Sequence, residues 1–449
     1  MLKKNDIIKT TITDWSSDGN GICRIDGMVV FVSSGVPGDE CHVRILKVSK
    51  THAFAKIEQL DIPSEDRIRQ KCNTYPKCGG CSLRHINYST ELKMKKQKVA
   101  DCLHRIGGLS IEPSDVVPSP IIDGYRNKVI YQVSEKDSIP VFGFFRKGSH
   151  DVIEAKHCFL QDSRSGIAAQ EFCDYAHENH IPIYSSKGKG IRYIFYRSTS
   201  SGYGQLGIIS SSGDIGNRDT LIKRLRKKCP WLLSVFLNIN NTPGNVALKG
   251  ELIPLYGDIS LTDELCGLQF NISPFSFYQV NRAQTELLYR RVIELASLSG
   301  KEEVIDLYCG IGTISLYAAK YARHVTGVEI VPSAIENAMI NASQNGISNV
   351  DFICADAGKA ASNLQKSRQN IDVLIVDPPR KGLSSETIQA ILSISSKKLI
   401  YVSCDPATLA RDLKELSLGC YSVVSAEPFD MFPRTHHVET VVLLTRKTR

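Results

Sequence analysis

Cys404 ends the run Lys398-Leu399-Ile400-Tyr401-Val402-Ser403 and precedes Asp405-Pro406. The run reads as a short buried strand, and Asp-Pro suits a sharp turn into a helix with Pro406 near its first position. A thiol at that exit would stand at the carboxyl edge of a sheet, where open α/β folds bind ligands. As a thiolate it would be a nucleophile. A lone cysteine at a strand end is ordinarily packing, so its company decides the reading. A second concentration of thiols lies in Cys72-Asn73-Thr74-Tyr75-Pro76-Lys77-Cys78-Gly79-Gly80-Cys81. Three cysteines so close, with glycines that allow a tight wrap, are hard to read as core. The two-residue spacing of Cys78 and Cys81 serves zinc or iron–sulfur alike, and a fourth ligand is needed.

A series of strand–turn–helix units must position Cys404. Val304–Leu307 runs into Tyr308-Cys309-Gly310-Ile311-Gly312-Thr313, and an apolar-periodic helix follows. Glycines let the backbone approach a ligand, and the helix start offers free N–H groups. The pattern Asp-x-x-x-Gly-x-Gly departs from the dinucleotide fingerprint. His324–Ile330 is a second strand, and Glu329 near its tip suits the two hydroxyls of a ribose. Val350–Cys354 leads to Asp356, an acceptor for an adenine amino group. Asp372–Val376 ends in Asp377-Pro378-Pro379-Arg380. Ligand-type side chains at successive strand ends predict a doubly wound, mostly parallel sheet that binds an adenosine-containing cofactor.

This set resembles the S-adenosylmethionine-dependent methyltransferases of the Rossmann-like class. A finer resemblance rests on Phe275-Ser276-Phe277-Tyr278-Gln279-Val280-Asn281, Asp306–Gly312, Asp377-Pro378-Pro379-Arg380-Lys381-Gly382, Tyr401–Pro406 and His436-His437-Val438-Glu439-Thr440, in that order. Together they resemble the RNA uridine-5-methyltransferase family over essentially the whole chain. The resemblance implies S-adenosyl-L-methionine as cofactor, with Gln279, Tyr308, Thr313, Glu329, Asp356 and Asp377 in its site. It implies Cys404 as nucleophile and Glu439 as general base. C5 of uracil is too weak a nucleophile to attack a methyl sulfonium unaided. A thiolate adding at C6 turns the ring into an enolate, nucleophilic at C5, and a base must then remove the C5 proton. His436 and His437 stay outside this catalytic set, and Arg380 is expected to meet phosphate or substrate. Family position adds Cys158 to Cys72, Cys78 and Cys81 and makes the centre a [4Fe–4S] cluster, a staple for an irregular segment. Zinc is the alternative, since thiolate ligation alone does not separate the two.

Residues 1–60 read as all-β, with strands at Ile7–Thr13, Gly21–Ile25, Met28–Val32, Glu40–Val48 and Ala53–Leu60 and a hairpin signal at Asp26-Gly27. Five short strands suit a barrel of the oligonucleotide-binding (OB) type, and the segment resembles the RNA-binding TRAM domain. Residues 61–265 are expected to form a mixed α+β domain carrying the cysteine motif and RNA contacts, and residues 266–449 the methyltransferase domain. Glu91–Arg105 reads as a basic helix, which family resemblance packs on the catalytic domain. Tyr125–Lys128 and Gly143–Lys147 set cations beside aromatics, a mixture suited to unpaired RNA. Lys187–Lys228 reads as a basic face, and Asn240–Gly244 as a loop.

Lys and Arg total 55 against 47 Asp and Glu, a net charge of +8 that is compatible with nucleic acid without being diagnostic of it. Fourteen cysteines without a secretory signal point to thiols or metal ligands in a reducing compartment. No apolar run has transmembrane length. The expectation is a cytoplasmic monomer with no obligatory protein partner. The barrel and cysteine motif together look like the branch acting on 23S ribosomal RNA, with the target base flipped from its stack. Two alternatives stand: the same chemistry on a transfer RNA uridine, or a non-catalytic RNA-binding protein.

Overall fold

A computed structural model describes residues 2–185, 188–242, 244, 246–366, 371–394 and 396–447. Lys187 and Pro243, which belong to the basic stretch and the loop above, lie outside the described residues.

The N-terminal strands Ile7–Thr11, Asp14–Trp15, Gly21–Ile25, Met28–Ser33, Glu40–Val48 and His52–Ile62 form one six-stranded sheet. Their inward positions alternate along each strand and close on a core of Val30, Val32, Cys41, Val43, Ile45 and Ala53. Asp26 and Gly27 both adopt positive φ, 50° and 77°, and Ile25 pairs with Met28, so the expected hairpin is present. The sequence reading missed only the two-residue strand Asp14–Trp15.

The central sheet runs Glu251–Tyr256, Leu232–Ile239, Gly204–Ser210, Ile191–Ser198, Lys128–Lys136, Ile139–Phe145, Val152–Glu154. Helices Ser163–Glu178 and Arg218–Lys228 share its core. Two expectations fail here. Tyr125 and Asn127 are buried, and they serve the chain itself: Tyr125 Oη donates to Pro433 O at 3.2 Å and Asn127 Nδ2 to Gln279 O at 2.9 Å. The basic face also loses Arg192 and Arg197, buried because their guanidinium groups satisfy loop carbonyls at Asn240, Thr242, Ser273 and Ser276.

The third sheet positions the site. Its order is Val350–Cys354, His324–Glu329, Glu303–Leu307, Val373–Val376, Lys398–Ser403, Glu439–Arg446, Tyr421–Phe429. The first five strands are parallel, and Glu439–Arg446 is inserted antiparallel. Near-continuous apolar runs such as Leu399–Val402 are explained by burial on both faces. The hairpin of Leu261–Leu265 and Leu268–Ile272, where the sequence showed only a join between domains, packs into the same core. Helix Tyr88–Arg105, distant in sequence, inserts Val99 and Leu103 beside Leu409, Leu413 and Ala426. It is not a basic face throughout: Lys95 is fully buried between Glu91 and Asp430, at 2.7 and 2.6 Å. Among the described residues no helix is long and apolar enough to cross a membrane.

Candidate active site

Strand register brings the two ends of the chemistry together. Ser403 pairs with Thr440 across antiparallel strands, so the next residue on one strand, Cys404, meets the preceding residue on the other, Glu439. Val376 pairs with both Leu307 and Tyr401 in parallel, which carries Asp377 to the same edge beside Tyr308. Asp405 caps the following helix, Pro406–Leu418, by accepting from the N–H groups of Ala407 and Thr408 at 3.0 and 2.9 Å. The cap directs the chain sharply away after Cys404 and leaves its thiol half-buried.

Electrostatics follow from crowding. Glu439 is 3% exposed. Burial, then the neighbouring Asp377, pushes its carboxyl up to about 8, while Arg380 pulls the other way. Burial raises Asp377 to about 7. The Cys404 thiol is pushed up to about 12 by burial and by Glu439 and Asp377, with Arg380 again opposing. Arg380 thus acts as a cation on both Cys404 and Glu439. Burial lowers His436 to about 4 and His437 to about 3, so both rings are neutral near pH 7.

Beside this group lies a cleft lined by Gln279, Tyr308, Gly310, Thr313 and Asp377. Thr313 starts the helix Thr313–Ala319 and shares a 2.9 Å hydrogen bond with Tyr289 Oη. Gly312 has φ 82°, and a Cβ there would press on the Phe352 ring at 3.0 Å; glycine is what the turn permits. Gly310, with φ 56°, faces open space. Glu329 and Asp356 stand at the same sheet edge but not in the lining of that cleft. Glu329 is oriented by the N–H groups of Gly310, Ile330 and Val331, at 3.2, 2.8 and 3.0 Å. Asp356 Oδ1 accepts from Gly358 N and Lys359 N. Asp306, present in the sequence motif but not among the residues expected in the site, is fully buried. Its Oδ2 accepts from Ser315 Oγ at 2.6 Å and its Oδ1 has no protein partner. The Asp-x-x-x-Gly spacing was the signal that marked it.

Cys72, Cys78, Cys81 and Cys158 line one cavity of about 70 Å³, with Arg84 and Arg126 in its wall. Burial pushes Cys78, Cys81 and Cys158 up, and each is raised further by another thiol of the four. Among the described residues no three His, Cys, Asp or Glu side chains are grouped to hold a metal ion.

The barrel carries a separate feature on its outer face. Phe31, His52 and Phe54 form a ring cluster with centroid distances of 5.7, 5.6 and 5.1 Å. Register sets exposed Lys47 beside Phe54, and Arg24 beside Val29, itself the partner of His52.

Residues 267–447 match the sequence profile of the tRNA (uracil-5-)-methyltransferase family, and residues 3–57 that of the TRAM domain. An uncharacterized RNA methyltransferase of Clostridium tetani is 38% identical over 99% of this chain and 97% of its own. One from Clostridium acetobutylicum is 40% identical over 99% and 98%. The crystal structure of Pyrococcus abyssi tRNA (uracil-54, C5)-methyltransferase with S-adenosyl-L-homocysteine is similar with a TM-score of 0.79 at 28% identity, covering 97% of this chain and 99% of that one. With the Cys404 thiol, the Glu439 carboxyl and the cleft on one sheet edge, and relatives matching from end to end, the chain belongs to the RNA uracil-5-methyltransferase family.

Proposed function

We propose that the protein methylates C5 of a uridine in RNA with S-adenosyl-L-methionine, through a covalent adduct between Cys404 and C6. The observation that carries this reading is the register pairing that sets Cys404 against Glu439, with the carboxyl of Glu439 pushed up to about 8. A carboxylate whose pKa lies near neutrality is suited to accept a proton from carbon. Bound S-adenosyl-L-methionine supplies an electrophilic methyl group. Gln279, Tyr308, Thr313 and Asp377 line the cleft that would hold it, Glu329 would accept from its ribose hydroxyls and Asp356 from its adenine. The open approach at Gly310, in the wall of that cleft, supports a ligand there.

Cys404 adds to C6 as a thiolate. Burial beside two carboxyls raises the thiol, which gives its proton to water before it adds, and Arg380 favours the resulting charge. Once C5 is methylated, Glu439 takes the C5 proton, the C6–S bond breaks with its electron pair returning to Cys404 Sγ, and the ring double bond reforms. Cys404→Ala should form no adduct and transfer no methyl group. Glu439→Gln should still add and still methylate, then stall as a methylated RNA–protein species on a denaturing gel. Turnover of Glu439→Gln at the wild-type rate would remove Glu439 from this role.

Ribosomal RNA of the 23S type is the proposed substrate, supported by the barrel together with the four-cysteine cavity. Cys72, Cys78, Cys81 and Cys158 would hold a [4Fe–4S] cluster; four thiols lining one cavity support that reading, and zinc is the alternative for the same ligand set. A transfer RNA substrate is the second reading, favoured by the full-length likeness to the Pyrococcus abyssi enzyme. Mapping 5-methyluridine in both RNA classes from a deletion strain separates the two. Boundaries near residues 60 and 265, a monomeric state and a cytoplasmic location complete the proposal.

A further inference from the structure

Glu439 is the first residue of its strand, so the preceding loop determines where its carboxylate points. Within the loop Thr435 Oγ1 donates to Phe432 O at 2.8 Å and accepts from His437 N at 3.3 Å, but these bonds do not tie the loop to the rest of the molecule. Segments more than three hundred residues away in sequence tie it down. The N–H groups of Ser82 and Leu83, immediately after Cys81, both donate to Arg434 O, at 3.1 and 3.0 Å. Ser82 Oγ accepts from His436 N at 2.9 Å and lies 3.2 Å from His436 Nδ1. Arg434 N donates to Glu91 Oε1 at 2.7 Å, and its guanidinium reaches Ile86 O at 3.1 Å. Lys98 Nζ donates to His436 O at 3.1 Å. Arg434 has φ 69°, a left-handed conformation that an arginine keeps only where its surroundings over-determine it.

We propose that Ser82 and Arg434 are positioning residues for Glu439, and that the cysteine loop clasps the loop carrying the general base. The inference rests on the assignment of Glu439 as the base that removes the C5 proton. Neither residue touches the cleft lined by Gln279, Tyr308 and Thr313, so cofactor binding and addition of Cys404 are independent of the clasp. The step that depends on it is the last: transfer of the C5 proton to the Glu439 carboxylate, with release of the C6–S electron pair to Cys404.

The test uses full-length Ser82→Ala, Ser82→Thr and Arg434→Ala with uridine-containing RNA. S-adenosyl-L-homocysteine binding should be unchanged in all three. In Ser82→Ala and Arg434→Ala, decay of the methylated adduct should slow by about tenfold or more, the scale on which small misplacement of a catalytic group acts. The adduct should accumulate on a denaturing gel with labelled methyl in the same band. Ser82→Thr, which keeps the hydroxyl, should restore most of the rate. Loss of turnover without adduct, or unchanged decay in Ser82→Ala, overturns the clasp. If Arg434→Ala does not fold, the Ser82 pair decides alone. If Glu439→Gln itself accumulates no adduct, the underlying assignment fails, and the clasp with it.

Discussion

Glu439 shows how far a residue's chemistry depends on its neighbours. A glutamate at the start of a strand is usually solvated, yet here it is buried against Asp377 and Cys404 and titrates at about 8. The ordinary value is 4.5. Between these two values the folded protein holds a proton that the unfolded chain has released. Stability therefore falls as pH rises through that window, and the contribution is complete only below the unfolded value. Asp377 and Asp306, both raised to about 7, act in the same direction. Glu439→Gln should accordingly gain on the wild type as pH rises from 5 to 8.5, by roughly 2–4 kcal/mol. Urea midpoints measured at both pH values check this, and parallel shifts in the two proteins would contradict a buried, raised carboxyl. His436 and His437 illustrate the opposite sign: burial keeps them neutral, which suits the clasp role of His436 more than proton removal.

At the scale of elements, the barrel's outer face sets three rings where strand alternation leaves them outside the core. Phe54 is 39% exposed, and exposed aromatic clusters next to cations are platforms for unpaired bases. Phe54→Ala should weaken RNA binding by about tenfold, within the range for loss of one stacked base, while leaving the salt slope unchanged. Arg24→Ala with Lys47→Ala should lower that slope by about 1.4 if both meet phosphates on a single strand. Equal RNA affinity of Phe54→Ala and wild type at every salt concentration would dissociate the ring cluster from binding. The helix Tyr88–Arg105 gives the contrary lesson. Its lysines read as a surface, but Lys95 is a buried bridge, with Glu91 and Asp430 satisfying its charge. Breaking such a pair by removing one partner is strongly destabilising, so this helix is a structural strut for the loop that leads to Glu439.

For the molecule as a whole, the four-cysteine cavity links the central segments to the catalytic sheet through the Ser82–Arg434 contacts. Protein purified without oxygen should contain about four irons per chain, the count of the proposed cluster. Cys72→Ser should lose that iron and fold in lower yield, and stoichiometric zinc with no iron would exclude the cluster. Sequence alone determined the parallel strands, the glycine turn and the hairpin at Asp26-Gly27, because these rest on short-range periodicity and local turn chemistry; Cys404 is singled out only by its company and the family resemblance, since a lone cysteine at a strand end is ordinarily packing. The family resemblance supplied Glu439 and Cys158, which no local pattern distinguishes. Tertiary structure alone decided that Glu439 is buried opposite Cys404, that Arg192, Arg197 and Lys95 are internal, and that the cysteine loop bonds the loop before the base. Those facts depend on an antiparallel strand inserted next to Lys398–Ser403 and on contacts between residues 48 to 354 positions apart. Side-chain types do not encode such pairings locally; the register of the final strand does, and it exists only once the sheet has formed.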